Sequence, residues 1–260
     1  MKLRLAVCAI ALAASACSPA PVEDAGGGVP VAAKRMPLPD CATIEAKDAG
    51  ADGWKHPDCR LMFPDQSGMA IEARYTPAED DSTEVTVQVV ATGDATLQTF
   101  EERMGNTFNG PLLEDFDKDG KVDIQIPLET GNVNTTWAAW RQVADGKFVR
   151  VGEPSGVSLV KTDSGYIAAQ ARSSANEWGV SFYKLEADVL MPILTADVTA
   201  QGEPDKITGV ACEITDDGGL AGAGLTEDAA KAQFYAEPVL AEIFNSFPLA
   251  AATGLFGPAA

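Results

Sequence analysis

The chain has 260 residues, with 38 acidic side chains against 19 basic ones, a formal charge of -19 and a single histidine. A field of that sign repels phosphate backbones and anionic lipid surfaces and attracts cations and basic proteins, so nucleic acid is excluded as an expected ligand. The same acidity also serves solubility, and the length suits one sizeable domain.

In chain order, the first feature is Lys2 and Arg4 followed by the apolar run Leu5 to Ala14 and small residues up to Cys17. This is the pattern of a secretory signal peptide over residues 1–16. The run is shorter than the roughly 20 apolar residues a membrane-spanning helix needs, and no later segment supplies them. Ala14-Ser15-Ala16 fits ordinary signal-peptidase cleavage, whereas the same residues with Cys17 resemble a bacterial lipobox that lacks the usual Leu at the Ala14 position. The favoured reading is lipidation of Cys17; a free periplasmic or secreted protein is the alternative. After Cys17, "SPAPVEDAGGGVPVAAKR" is rich in Pro, Ala and Gly without periodicity, which suits a flexible tether over 17–36. Ser18 resembles the sorting pattern of outer-membrane lipoproteins. Removing the leader takes Lys2 and Arg4 with it and leaves 17 bases against 38 acids, or -21.

Cys8 departs with the leader, so Cys41, Cys59 and Cys212 remain to be paired. Cys41 and Cys59 enclose a short loop containing "DAGADG", and an oxidising compartment favours a disulfide between them. Loop closure makes such a bridge worth about 3 kcal/mol. Cys212 is either an alternative partner or a buried thiol.

A β domain is expected over 37–212. From about Met69 to Thr199, short alternating runs such as "STEVTVQVV", "DIQIPL", "TTWAAWRQV" and "KFVRVG" are separated by turn residues, which predicts an antiparallel meander in a barrel, sandwich or propeller. Asp145-Gly146 suits a tight hairpin. Trp137 and Trp140 have opposite strand parity and are expected to pack on opposite sheet faces. The remainder, 213–260, is predicted to be a Gly-rich loop and a helical segment. There Thr226 is the N-cap, Glu227 and Asp228 lie in the first turn, and Pro238 kinks the helix or starts a second one. Phe234, Leu240, Ile243 and Phe244 form its docking face.

The segment "DFDKDGKVDIQI" carries the most specific signal. Asp115, Asp117, Asp119, Gly120 and Asp123 stand at positions 1, 3, 5, 6 and 9 of a calcium-loop spacing, and the Lys121 backbone carbonyl falls at position 7. Carboxylates this close repel one another unless one is protonated or a cation neutralises them. Ca²⁺ accepts six to eight oxygens at about 2.3 to 2.6 Å, whereas Mg²⁺ keeps its waters. Zinc is disfavoured, because His56 is the lone histidine and the cysteines show no paired spacing. Ile126 stands where an EF-hand places its last carboxylate, and a strand-like run follows, so the loop is not an EF-hand.

The same segment resembles the calcium loop of FG-GAP and VCBS-type repeats, which occur in β-propellers. With "GNVNTTWAAWRQVADGKFVRV" and "SGYIAAQARSSANEWGVSFYKL", the run from roughly 70 to 200 is similar to small bacterial lipoproteins with an incomplete calcium-binding propeller. Among them, immunity proteins inhibit peptidoglycan-cleaving toxins delivered by competitors. The resemblance implies an incomplete propeller and calcium ligation by Asp115, Asp117, Asp119, the Lys121 carbonyl and Asp123. It further implies a peptidoglycan hydrolase as protein partner; the acidic charge favours a basic one, and the membrane is expected to be touched only through the lipid anchor at Cys17.

No catalytic constellation accompanies these features, and the chain is not expected to be an enzyme. Any histidine-dependent mechanism must use His56, in "GWKHPDC", and no nucleophile elbow accompanies it. Glu101, Glu102, Glu114 and Glu129 are candidates for a carboxylate pair, as a carbohydrate-active enzyme would need, but nothing in their spacing singles them out. A structural envelope protein is the remaining alternative.

Overall fold

The computed structural model describes residues 38–48, 53–203 and 206–247. The expected leader, lipidation site Cys17 and tether lie outside these residues. Ahead of the main sheets, β1 (Lys47–Asp48) and β2 (Trp54–Lys55) pair as a short ribbon. The first sheet joins β3 (Cys59–Met62), β4 (Ala70–Pro77), β5 (Thr83–Val90) and β6 (Thr96–Met104) in sequence order. In β5, Val85, Val87 and Val89 are buried while Thr86 and Gln88 stay half-exposed, so period-two alternation sets which face turns inward.

The second sheet is built from β7 (Leu112–Glu114), β8 (Asp123–Thr130), β9 (Thr135–Ala144) and β10 (Lys147–Gly152), with β11 (Ser155–Gly156) paired to the start of β9. Gly146 turns the β9–β10 hairpin at φ +63, and a Cβ there would also strike the Leu97 side chain at 2.3 Å. The third sheet runs through β12 (Ser158–Lys161), β13 (Ile167–Arg172), β14 (Glu177–Glu186), β15 (Val189–Glu203) and β16 (Lys206–Asp216). Strand β16 therefore passes the expected boundary at 212. Three short helices follow: α1 (Leu220–Ala223), α2 (Glu227–Phe234) and α3 (Pro238–Ser246).

The fold is mainly β: three antiparallel meanders, none closed into a barrel, with a helical C-terminal segment. Each sheet lies face against the next. Val85, Val87, Val89 and Phe100 of the first sheet meet Ile124, Ile126, Ala138 and Phe148 of the second. Phe116, Ala139 and Val151 then meet Leu159, Ile167, Ala169 and Leu190 of the third. On the far side of the third sheet, Ala168, Val180 and Phe182 are covered by Phe234, Leu240 and Ile243 of the helices. Ala168 and Ala169 are adjacent in β13 and serve opposite interfaces, as strand parity requires.

The two ends of the stack differ. The outer face of the first sheet carries ions: Arg60 pairs with Glu72 at 3.1 Å and Asp94 at 2.7 Å, and Arg74 reaches Glu72 at 3.0 Å. The opposite end is finished by the helices. Thr226 caps α2 by accepting from the Ala229 N–H at 3.2 Å, and Pro238 starts α3. Glu237 is buried and accepts the N–H groups of Asp163 and Ser164, at 3.1 and 3.2 Å, together with the Ser164 hydroxyl, so the β12–β13 turn is pinned to the helices.

The tryptophans separate as parity demands. Trp140 stacks on Phe100 of the first sheet with ring centroids 3.9 Å apart, while the Trp137 indole N–H donates to the Gly156 carbonyl. Cys41 and Cys59 form a disulfide and Cys212 is a half-buried thiol. A disulfide belongs to an oxidising, non-cytoplasmic compartment. Among the described residues no helix is long and apolar enough to cross a membrane.

Phe234 is fully buried and its ring lies 4.7 Å from that of Phe182. Phe234→Ala is expected to lower the unfolding free energy by about 3 to 5 kcal/mol, read from urea denaturation; a loss below about 1 kcal/mol would show that the helices do not complete this core.

Candidate metal centre

Residues 115–122 link β7 to β8 and are shaped by their own aspartates. The Asp115 carboxylate accepts the N–H groups of Asp119 and Gly120, both at 3.0 Å, and Asp117 accepts the Asp119 N–H at 3.0 Å. Lys118 and Gly120 take positive φ, +52 and +87, and curl the chain. A Cβ on Gly120 would touch nothing, so glycine is needed there for its backbone conformation and not for space. Within the same curl, Phe116 points the other way and is buried between the second and third sheets.

Asp123 opens β8 and is wholly buried. Its oxygens accept the Gln142 N–H at 2.8 Å and the Phe116 N–H at 3.3 Å. Oxygens of Asp115, Asp117 and Asp123 lie within 4.8 Å of one another. Three of the four expected aspartate ligands thus converge. Asp119 does not join them: its carboxylate takes the Lys121 N–H and ammonium, each at 2.9 Å, and the Arg141 guanidinium at 2.8 Å. The Lys121 side chain is therefore engaged with a neighbour in the loop, and only its carbonyl is left for the ligand role expected of that residue.

Arg141 was not legible as part of this centre. Pairing of Ile124 with Trp140 brings Arg141 and Gln142 alongside Asp123. The guanidinium then binds Asp117 through Nε, Asp119 through Nη2, and Asp188 of the β14–β15 turn through Nη1 at 3.1 Å. The available signal was one basic residue in the second strand after the acidic loop, but the contact depends on register, which the sequence pattern leaves open.

Without an ion, burial pushes the Asp123 carboxyl up to about 7; the Gln142 N–H opposes this, and Asp117, Asp119 and Asp115 add to it. The hydrogen bond from Arg141 to Asp117 is the main reason the guanidinium is held even more firmly charged. Burial disfavours the Asp119 carboxylate, but Lys121 and Arg141 outweigh it and lower the pKa. The donor set contains oxygen alone, two of the three converging carboxylates are buried, and together they lack a full complement of positive charge. These features fit a hard cation such as Ca²⁺, which would share Asp117 with Arg141.

The other candidates do not enter the cluster. Glu102 accepts the Trp140 indole N–H at 2.8 Å and Arg150 at 2.7 Å. Glu101 is its exposed neighbour on the other face of β6; Glu114 pairs with Asp123 across β7 and β8, and Glu129 is exposed near the far end of β8. His56 donates through Nε2 to the Thr107 carbonyl at 2.8 Å and stacks on Tyr75, and burial lowers its pKa.

Because Asp123 binds its proton at about 7 when folded and at 3.8 otherwise, its contribution to ion-free stability is full below 3.8 and is lost as the pH rises through 7. Melts in EDTA between pH 5 and 8 are expected to show a decline that Asp123→Asn flattens. Equal slopes in the two proteins would contradict the assignment.

No family model matches the chain, and no curated protein matches it. Among solved structures, the chain is similar to one described as a Xanthomonas type IV secretion system related protein, at 11% identity and a TM-score of 0.37, over 67% of this chain and 95% of that one.

Proposed function

We propose that the chain is a calcium-stabilised lipoprotein, held at the periplasmic face of the outer membrane through Cys17, that binds another protein and inhibits a basic peptidoglycan hydrolase. The observation that carries the calcium reading is the convergence of Asp115, Asp117 and Asp123 in a curled loop whose aspartates follow an oxygen-ligand spacing. Calcium is structural in this reading. The centre lies where the second sheet meets the third, and its carboxylates are occupied by backbone amides and Arg141, which leaves little room to polarise a substrate.

The partner is a basic protein because the leaderless chain carries a charge of -21, from 17 bases against 38 acids, and complementary fields speed encounter. The oxidising compartment implied by the disulfide is the one in which a peptidoglycan hydrolase would be met. The likeness to immunity lipoproteins with incomplete propellers supports the inhibitory role.

At about 1 mM free ion, a site with a Kd near 0.1 mM adds roughly 1.4 kcal/mol to stability and one near 1 µM about 4 kcal/mol. Calcium is expected to raise the melting temperature of the leaderless protein, and Asp117→Ala to abolish that rise; an unchanged response in the variant, or no calorimetric heat with CaCl₂, refutes the metal centre. Immobilised leaderless protein is expected to retain a peptidoglycan hydrolase at low salt, from the producing strain or a competitor, and to suppress its lysis of purified sacculi. Undiminished lysis by every hydrolase recovered would remove the inhibitory role.

A further inference from the structure

Between the first sheet and the residues that precede it lies a cavity of about 370 Å³ that shares no residue with the aspartate loop. Four aromatic side chains from separate parts of the chain line it: Trp54 from β2, His56 just beyond it, Tyr75 from β4 and Phe108 from the β6–β7 connection. Trp54 and Phe108 meet at a centroid distance of 5.5 Å and an angle of 59°, and His56 stacks on Tyr75 at 5.0 Å and 27°.

The rings are held in place by the structure around them. The Cys41–Cys59 disulfide forms part of the wall. Phe108 is 47% exposed, yet the residues on either side of it are fixed. Thr107 is buried and its hydroxyl bonds Thr130 at 2.7 Å, while the Asn109 amide donates to Thr130 at 3.1 Å and Thr135 at 2.7 Å. The half-exposed Phe108 ring is thereby held beside Trp54 in the cavity wall.

The chemistry of the lining selects among ligands. Glu45 is exposed at the cavity, and among the described residues no Lys or Arg lines it. Lys47 and Lys55 are paired across the β1–β2 ribbon and exposed, on the face opposite Trp54. His56 gives its Nε2 proton to Thr107, and burial disfavours a second proton, so it presents a neutral ring. Aromatic faces with an acid nearby attract cations, most strongly where water is excluded, and the charge of -19 concentrates cations around the molecule. A saccharide would want a ring of free hydrogen-bonding groups, but the Asn109 amide nitrogen is already spent on two threonines.

We propose that this cavity binds an organic cation, the ammonium or guanidinium group of a small molecule or of a basic side chain on a protein. The site stands independently of the calcium centre and of the hydrolase partner.

The test is calorimetric titration of the leaderless chain with choline, N-acetyl-lysine methylamide and N-acetyl-arginine methylamide, alongside 3,3-dimethylbutan-1-ol as choline's uncharged counterpart and chitotriose as a sugar. Saturable binding of at least one cation is expected, weakened about tenfold in Trp54→Leu and in Phe108→Ala and not matched by the alcohol. Preference for choline identifies a small-molecule source, and preference for the amino-acid amides a protein side chain; either supports the site. Because Phe108 is half-exposed, its variant keeps the measurement informative if Trp54→Leu fails to fold. Equal binding of the alcohol, binding of chitotriose alone, absence of cation binding, or cation binding untouched in folded Phe108→Ala overturns the proposal.

Discussion

A carboxylate shut away from water must find donors or a cation, and Asp123 is the place where this demand organises the molecule. It sits with no exposed surface at the start of β8, on the second sheet of three, and its oxygens reach both across the sheet to Gln142 and back into the preceding loop at Phe116. The segment it anchors alternates in sense. Phe116 fills the space between two sheets while Asp115 and Asp117, on either side, turn toward Asp123. One short sequence thereby supplies an apolar plug and the rim of a charged centre, and neither can move without the other.

The charge placed there is also what joins neighbouring sheets. Arg141 spans from Asp117 and Asp119 in the loop to Asp188 in the third sheet's β14–β15 turn, and the Lys118 ammonium donates to the Lys161 carbonyl at 2.9 Å. The Arg141–Asp188 pair is partly exposed and is worth at most about 1 kcal/mol, whereas the Asp117 carboxylate is buried and would be left unpaired without Arg141. The value of these contacts lies in position, since apolar layers alone do not fix how far one sheet slides over another.

How much of this could be read from the chain depends on the range of the interaction. The alternation of Val85, Val87 and Val89, the Asp145-Gly146 hairpin and the Thr226 cap are set by neighbours in sequence, and all were visible there. So was the aspartate spacing, because its hydrogen bonds close within five residues. The departure of Asp119 from the group was not visible, since Arg141, 22 residues further on, helps draw it away. The face-to-face packing of the three meanders was narrowed only to barrel, sandwich or propeller, because alternation states which residues turn inward and is silent on which sheet they meet. The end of the β region near 212 was misjudged because "ACEITDD" alternates weakly, and β15 holds it in the sheet to Asp216.

The order in which the layers occur along the chain matters for a polypeptide made from its N-terminus. The first two sheets can bury their shared face as soon as residue 152 has emerged, whereas Phe182 on the outer side of the third waits for Phe234 and Leu240. Until then that surface is open to water and to any chaperone that holds apolar strands. A chain truncated after β16 would therefore present the outer face of its third sheet bare, and docking of α2 and α3 is what covers it.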